Sequence, residues 1–449
     1  MSERSRESQS GDRSPRYRRW LLGVTLAAVI GFAGTLSLQA KQGAAGYTDQ
    51  YYKEAELFED ALDKVRTNYV EEPQAQQLIY GALKGMLATL DPYSQFLDPD
   101  SYSELKIDTE GQFGGLGIEI TIKDDLLTII TPIDDTPAFH AGLKSQDRIV
   151  KIDHELTRGI TLMEAVKKLR GKPGTSVILT VLREGEAELK DVTIERAMIK
   201  IQSVRSDLFE DHIGYIRVSD FREKTTEDLE SAIQRLKEQA MDSLILDLRN
   251  NPGGLLDQAV SVSELFLRQR QLVVMTKGRL RNQNLEFHAR RDGSVNGVPL
   301  VVLINEGSAS ASEIVAGAIQ DHRRGIVMGT KSHGKASVQT IFPLKDGSAL
   351  RLTTSKYFTP NGRLIHGQGI LPDVTVPLEK RAEEASDTPK SQAAEEIFDR
   401  LQTSQTPADQ SADSKPAEKK PMDNQLARAV DLLKGIKVYQ THEQSPNAS

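Results

Sequence analysis

Two stretches of the chain, Ser243-Leu-Ile-Leu-Asp-Leu248 and Leu300-Val-Val-Leu-Ile304, are apolar without alternating between hydrophobic and polar positions. A strand with one face in water alternates, so these runs demand a sheet covered on both faces. Around them, between Gln202 and Pro377, strands and helices take turns: strand Ile213–Val218, helix Thr226–Gln239, strand Ser243–Leu248, helix Leu255–Leu267, strands Leu272–Thr276 and Leu300–Ile304, and helix Ala311–Gln320. That alternation places the core in the α/β class. At roughly 100–200 residues per domain, 449 residues provide for two to four units. With 38% hydrophobic residues and 33 glycines, most of the chain is expected to fold.

Composition removes several function classes. Lys and Arg total 57 against 64 Asp and Glu, a net charge of −7, so no basic excess favours nucleic acid. With no cysteine, disulfides, thiolate metal sites, cysteine nucleophiles and lipid attachment through cysteine are excluded. Near the N-terminus, Trp20 to Leu38 is a run of 19 residues without a charge, preceded by Arg13, Arg16, Arg18 and Arg19. Crossing a bilayer takes roughly 20 such residues, so the run reads as a signal peptide or anchor helix. The arginines stay cytoplasmic by the positive-inside rule, which exports everything after Lys41. Leu38-Gln39-Ala40 offers a large residue where a cleavage site prefers a small one, which favours an uncleaved anchor. Arg18-Arg19 also suits twin-arginine export, but with no cofactor evident the general route is preferred.

The rest divides by pattern. Residues 1–45 form the basic tail and apolar helix, and 46–110 a helical lead-in with Phe58, Leu62, Val65 and Tyr69, then Leu78, Leu83, Met86 and Leu90, at helical spacing. Pro73 begins its second helix, and Asp91-Pro92-Tyr93-Ser94 with a polar stretch to Glu110 ends it. Residues 111–198 read as a small β-rich module, with strands Ile118–Ile122, Leu126–Ile130, Arg148–Ile152, Ser176–Arg183 and Leu189–Ile194 and a helix presenting Leu162, Ala165, Val166 and Leu169. Residues 199–380 hold the α/β core. In 381–449, Gln402–Met422 has the composition of a disordered linker. It leads to an amphipathic helix, Asn424–Gly435, with Asp423 as N-cap, Gly435 as stop and Leu426, Val430 and Leu433 in need of a partner surface.

In the β-rich module, Gly114-Gly115-Leu116-Gly117-Ile118 runs straight into an alternating strand. Such a loop can turn its amides inward as an anion nest, and the strand edge beyond can take an extended peptide; simple turn geometry would also explain the glycines. Pro137-Ala-Phe-His-Ala-Gly-Leu143 followed by Asp147-Arg-Ile-Val150 resembles the core of PDZ domains, with Gln146 where Gly is usual. The resemblance implies capture of a C-terminal carboxylate by the amides of Leu116, Gly117 and Ile118.

Gly307-Ser308-Ala309-Ser310-Ala311-Ser312-Glu313 follows an apolar strand and opens a helix. Small residues at such a corner let a substrate approach, and the helix's first turn offers unpaired amides for an oxyanion. Any of the three serines could be a nucleophile, or all three only caps. Lysine and histidine compete as the base. Lysine is under about 0.1% unprotonated at neutral pH, so burial must depress its pKa by roughly 3 pH units, at about 4 kcal/mol, before it can act. Lys335, after Gly334 and before the alternating strand Ser337–Phe342, is placed for this; His333 and His322 are the rival bases.

These motifs together resemble the carboxy-terminal processing peptidases, tail-specific serine proteases. The resemblance rests on Gly307–Glu313, Gly334-Lys335, Gln339, Asp247-Leu-Arg-Asn-Asn-Pro-Gly-Gly254, Leu90-Asp-Pro-Tyr-Ser94 and Thr359-Pro-Asn-Gly362 through Gly369-Ile-Leu-Pro-Asp373, and runs from about Phe58 to Val376. It implies a crotonase- and ClpP-like α/β protease core with an inserted PDZ domain and helical extensions at both ends. It further implies Ser310 as nucleophile, Lys335 as base, Gln339 orienting the lysine, and the amides of Ala311 and Gly254 as oxyanion donors, with no metal or other cofactor. His333 stands where Phe is usual and Ala336 where Gly is usual, making the lysine loop more polar and stiffer. The implied function is cleavage of exported proteins with flexible, apolar C-termini, in the periplasm and with the membrane as an N-terminal attachment. A catalytically silent PDZ scaffold is the competing reading. The terminal helices suggest a homo-oligomer, and the family resemblance an adaptor protein that releases activity.

Overall fold

The computed structural model describes residues 52–183, 186, 188–379 and 422–443. The run Trp20–Leu38, its arginines, the Leu38-Gln39-Ala40 site and the linker up to Pro421 lie outside these residues. No described helix is long and apolar enough to cross a membrane. The described residues fall into two compact units, divided between Thr89 and Leu90. The described part of the first is a pair of helices, α1 (52–68) and α2 (Ala75–Ala88). On α1 the periodic residues Phe58 and Val65 are exposed, as is Tyr69 just beyond it.

The second unit is built on a six-stranded sheet in the order Val204–Phe209, Ile213–Val218, Ser243–Asp247, Leu300–Ile304, Ile326–Gly329, Val374–Thr375. The first pair is antiparallel and the remaining pairs are parallel. Every residue of the two apolar runs' strands is buried. One face, with Leu244, Leu246, Val302 and Ile304, packs on helices α6 (Thr225–Glu238), α7 (Leu256–Glu264) and α8 (Ala311–Asp321). The other face, with Ile213, Ile245, Val301, Leu303 and Met328, packs on Leu426, Ala429 and Leu433 of the last helix, α9 (Asn424–Glu443). The partner surface that this helix needs is therefore the chain's own sheet. Each leucine so buried contributes roughly 1.5–3 kcal/mol. The helix also runs past Gly435, where a stop was expected. Glycine costs about 1 kcal/mol inside a helix, which packing along the rest of its face offsets.

A second, antiparallel sheet places Gln95–Leu97, Ala349–Phe358, Leu272–Gly278 and Leu285–His288 side by side, with Ser337–Pro343 also paired to Ala349–Phe358. The stretch before Glu110, read only as a polar stretch closing the helical lead-in, is itself helix α3 (Pro99–Glu110). It lacks an apolar stripe, but its end signals are complete: the Asp98 carboxylate accepts from the Ser101 amide, Pro99 opens it, and Gly111 closes it at φ 70°. The β-rich module enters and leaves through one ribbon, Gln112–Gly115 against Ala197–Lys200, so its ends stay adjacent as an insertion requires. Inside it a sheet of Ile118–Lys123, Leu126–Pro132, Arg148–Ile152, Ser176–Leu182 and Lys190–Glu195 is closed by helices α4 (Pro137–His140) and α5 (Leu162–Leu169).

Candidate active site

The corner between Ile304 and α8 sorts the three serines by their hydrogen bonds. Ser308 is fully buried, and its hydroxyl donates to the Leu248 carbonyl at 2.7 Å. Ser312, equally buried, donates to the Asn251 carbonyl at 3.0 Å. Both staple the corner to the 248–251 turn. Ser310 instead lines a cleft of about 740 Å³ with Gly253, Gly254, Lys335, Gln339, Arg351 and Tyr357. Its backbone sits at φ 54°, ψ −110°, a region a non-glycine residue occupies at a cost of order 1–3 kcal/mol. Burial pushes the Tyr357 hydroxyl up to about 12, an effect the neighbouring Ser310 hydroxyl offsets in part.

The Gly253-Gly254 turn presses against this serine. A Cβ on Gly253 would lie 2.8 Å from Ser310 Cβ and 3.0 Å from the Ala311 nitrogen, and one on Gly254 would lie 2.2 Å from the Phe221 carbonyl oxygen. Their φ values of 103° and 146° also exclude other residues. The Phe221 amide donates to the Gly253 carbonyl and the Leu255 amide to the Phe221 carbonyl, which steps over the Gly254 amide. Among the described residues neither the Gly254 nor the Ala311 amide donates a backbone hydrogen bond. Two unspent donors beside a strained serine have the chemistry to hold an oxyanion.

Glu313, one turn into α8, connects the serine to the lysine loop. Its fully buried carboxylate accepts from the Ser310 amide (2.8 Å) and the Lys335 amide (2.9 Å) on one oxygen, and from the Gly334 amide (2.6 Å) and the Ser332 hydroxyl (2.5 Å) on the other. Burial raises its pKa above the usual carboxylate value, against the opposing pull of these four donors. Gly334, at φ 90°, supplies the turn that the lysine loop requires. Ala336 is fully buried and His333 exposed, so the two departures from the family pattern fall on opposite sides of the loop.

Lys335 is half-buried, and burial followed by the charge of Arg351 pushes its pKa below the usual lysine value. Its ammonium lies 4.9 Å from the centre of the Tyr93 ring, a cation–π contact. Gln339 donates to the Tyr93 carbonyl at 2.7 Å. Among the described residues no hydrogen bond joins Ser310 Oγ to Lys335 Nζ, nor Gln339 to Lys335. The structure thus brings all three into one cleft and rests the lysine and the glutamine on Tyr93. Of the rival histidines, His322 pairs with the Leu272 carbonyl and Gln271 and lines a separate cavity, while His333, two residues before Lys335, is exposed, donates its amide to the Ser308 carbonyl and does not line the cleft. Among the described residues no cluster of three or more His, Cys, Asp or Glu side chains could hold a metal ion.

In the inserted module, Leu116, Gly117 and Ile118 line a small groove of about 90 Å³ with Ile120, Val166 and Leu169. The Leu116 and Gly117 amides donate to no backbone carbonyl among the described residues, and Gly117 takes φ 80° with Thr136 where a Cβ would stand. The groove is bounded by a strand on one side and α5 on the other.

Four residues in or beside the cleft had no assigned role in the sequence reading: Glu313, Tyr93, Arg351 and Tyr357. Ser310-x-x-Glu313 is a capping-box spacing, so Glu313 was legible as a partner of the serine's backbone. Tyr93 stood in a noted motif. Tyr357 and Arg351 reach the cleft only through the pairing of Ala349–Phe358 with its neighbours, a long-range fact with no local signal.

Comparison with known proteins bears on the same segments. Residues 212–376 match the model of peptidase family S41, residues 114–194 that of the PDZ domain, and residues 31–101 that of the activating protease CtpB N-terminal domain. A carboxy-terminal-processing protease of Bartonella bacilliformis is 44% identical over 357 residues, covering 79% of this chain and 82% of its own. A carboxyl-terminal-processing protease of Synechocystis sp. is 38% identical over 320 residues, covering 70% and 74%. The solved photosystem II D1 C-terminal processing protease is 30% identical, covers 71% of this chain and 86% of its own, and superposes with a TM-score of 0.44.

Proposed function

Because the chain belongs to peptidase family S41, as a serine-type carboxy-terminal-processing protease carrying a PDZ domain, we propose that Ser310 and Lys335 are its catalytic dyad. Lys335 leaves the Tyr93 ring, turns to Ser310 and accepts the hydroxyl proton as Oγ bonds to the scissile carbonyl carbon. The Gly254 and Ala311 amides hold the oxyanion. Collapse of the intermediate breaks the C–N bond, and the Lys335 ammonium returns its proton to the leaving amine. Water then attacks the ester, gives its proton to Lys335, and releases the new carboxylate as Ser310 is reprotonated. Gln339, now on the Tyr93 carbonyl, holds the lysine once it has swung.

The observation that carries this reading is the pair of unspent amides beside the one corner serine that faces the cleft shared with a half-buried lysine. Ser310→Ala and Lys335→Ala should each abolish hydrolysis of a disordered substrate while leaving binding intact. Cleavage at the wild-type rate by either variant would reject the dyad and leave the silent scaffold. Substrates are proteins with flexible, apolar C-termini, taken by the PDZ groove at Leu116, Gly117 and Ile118 so that a nearby bond enters the cleft. Export through the Trp20–Leu38 segment would place the enzyme in the periplasm, held at the membrane. The exposed apolar residues of α1, among them Leu57, Phe58 and Val65, support assembly through the lead-in helices, and an adaptor would release activity. Light scattering on a Phe58→Glu/Val65→Glu variant tests the assembly: an unchanged particle mass refutes it.

A further inference from the structure

The tail helix is tied to the catalytic turn by a buried polar contact as well as by its apolar face. Arg249 begins the stretch that leads to Gly253-Gly254, and only 9% of its side chain is exposed. Its Nε and Nη2 donate to the two oxygens of Asp247 at 2.9 and 2.7 Å, a bidentate pair. The remaining nitrogen, Nη1, donates to Asp423 Oδ1 and to Gln425 Oε1, both at 2.9 Å and both at the start of α9. Those acceptors are themselves fixed. Asp423 Oδ1 caps α9 through the Leu426 amide at 2.9 Å, and the Gln425 side-chain amide donates to the Val376 carbonyl at 2.7 Å. Beyond Arg249 the turn is stiff: the Asn250 amide donates to Asn305 Oδ1 at 2.8 Å, Asn251 Nδ2 to the Val218 carbonyl at 2.8 Å, and the Gly253 amide to Asn251 Oδ1 at 2.9 Å. A shift of Arg249 has little slack to absorb it before Gly254.

We propose that Asp423 and Gln425 are positioning residues for hydrolysis: by satisfying Nη1 of Arg249 they hold the Asn250–Gly254 turn, and with it the Gly254 amide, in register with Ser310. The proposal rests on the reading of Gly254 as an oxyanion donor. Removing both acceptors leaves a buried guanidinium edge unpaired, and a charged donor in that state draws in water or another acceptor by moving. The tail helix then contributes to catalysis in cis, from a segment joined to the core only through residues 380–421.

The test is the double variant Asp423→Ala/Gln425→Ala in the full chain, with kcat, KM and the affinity of a peptide boronate measured beside wild type and Ser310→Ala. A drop in kcat of about 10- to 100-fold, the range expected when a reacting group is displaced by less than about 1 Å, is expected with KM within about twofold. Boronate affinity should fall in step, and Asp423→Asn/Gln425, which keeps both acceptors, should retain most of the rate. Leu433→Ala loosens the apolar docking without touching Arg249, and should lower the melting temperature with kcat nearly unchanged while the helix stays docked. An unchanged kcat and boronate affinity in the double variant would overturn the proposal, as would an equal kcat loss in Leu433→Ala. Residual hydrolysis by Ser310→Ala would instead strike at the dyad itself.

Discussion

Glu313 is surrounded by donors alone, three backbone amides and one hydroxyl, which suits a carboxylate and opposes an amide. Glu313→Gln turns an NH2 group toward some of those donors, and each buried N–H left unpaired costs about 1–3 kcal/mol. The variant should melt earlier and lose about 100-fold in kcat as serine and lysine loops part; a wild-type melt and rate would refute the role. Lys335 links the stability of the fold to pH. Its folded pKa lies below the 10.5 of the free group. Between those two values the unfolded chain binds a proton that the folded chain does not, so stability rises with pH there, and below the folded pKa the cost of the buried charge is at its full value. Lys335→Met should therefore stabilise the fold at neutral pH by on the order of 1 kcal/mol, screening by solvent keeping the figure small. The rate of the wild type should climb through a pKa below 10.5. A rate that levels off at the histidine value near 6.5, and falls with His333→Ala, would point to the other base.

At the scale of elements, the Gly253-Gly254 turn and α9 act on the same strand end. Gly254→Ala brings a methyl to the Phe221 carbonyl and rotates away the proposed donor, so a loss of 100-fold or more in kcat is expected. Near-normal kinetics in that variant would remove Gly254 from the oxyanion hole. Docking of α9 has its own pH signature. Burial pushes Asp423 up, but Arg249 and the amides of Leu426 and Gln425 outweigh it and hold the carboxyl below its ordinary 3.8. Its contribution is complete above 3.8 and is lost as the pH falls through the lower folded value. Amide exchange in α9 should speed up below about pH 4 before the sheet it covers is affected; simultaneous loss of both would contradict this. The helix itself was legible in the sequence, with its N-cap and its apolar face, because capping and periodicity are local. Its partner was not, since nothing local joins Leu433 to Val301. Helix α3 was missed for the converse reason: its caps are sound, but it has no apolar stripe to see.

Across the whole molecule, the proposed mechanism has a substrate meet two sites. The PDZ groove is separated from the cleft by α3, which pairs with α5 through Asp100 and Lys167 at 2.8 Å and lines the cleft with Tyr102 and Leu105. Amidating the substrate's C-terminus removes the charged acceptor for the Leu116 and Gly117 amides, and should lower kcat/KM by roughly 10-fold or more, carried by KM. Equal kinetics on the acid and the amide would exclude tail capture there. The sequence alone determined the class of the core, because strands that never alternate need two covered faces. It also determined the inserted module and the short list of chemistry, because glycines with forced backbone angles and small residues at a helix start leave local marks. Tertiary structure alone decided which of Ser308, Ser310 and Ser312 faces the cleft, what the lysine rests on, and that the second cover of the sheet is the chain's own tail. Those outcomes depend on contacts between residues far apart in the chain, whose energies come from burial and hydrogen bonds that no local window contains.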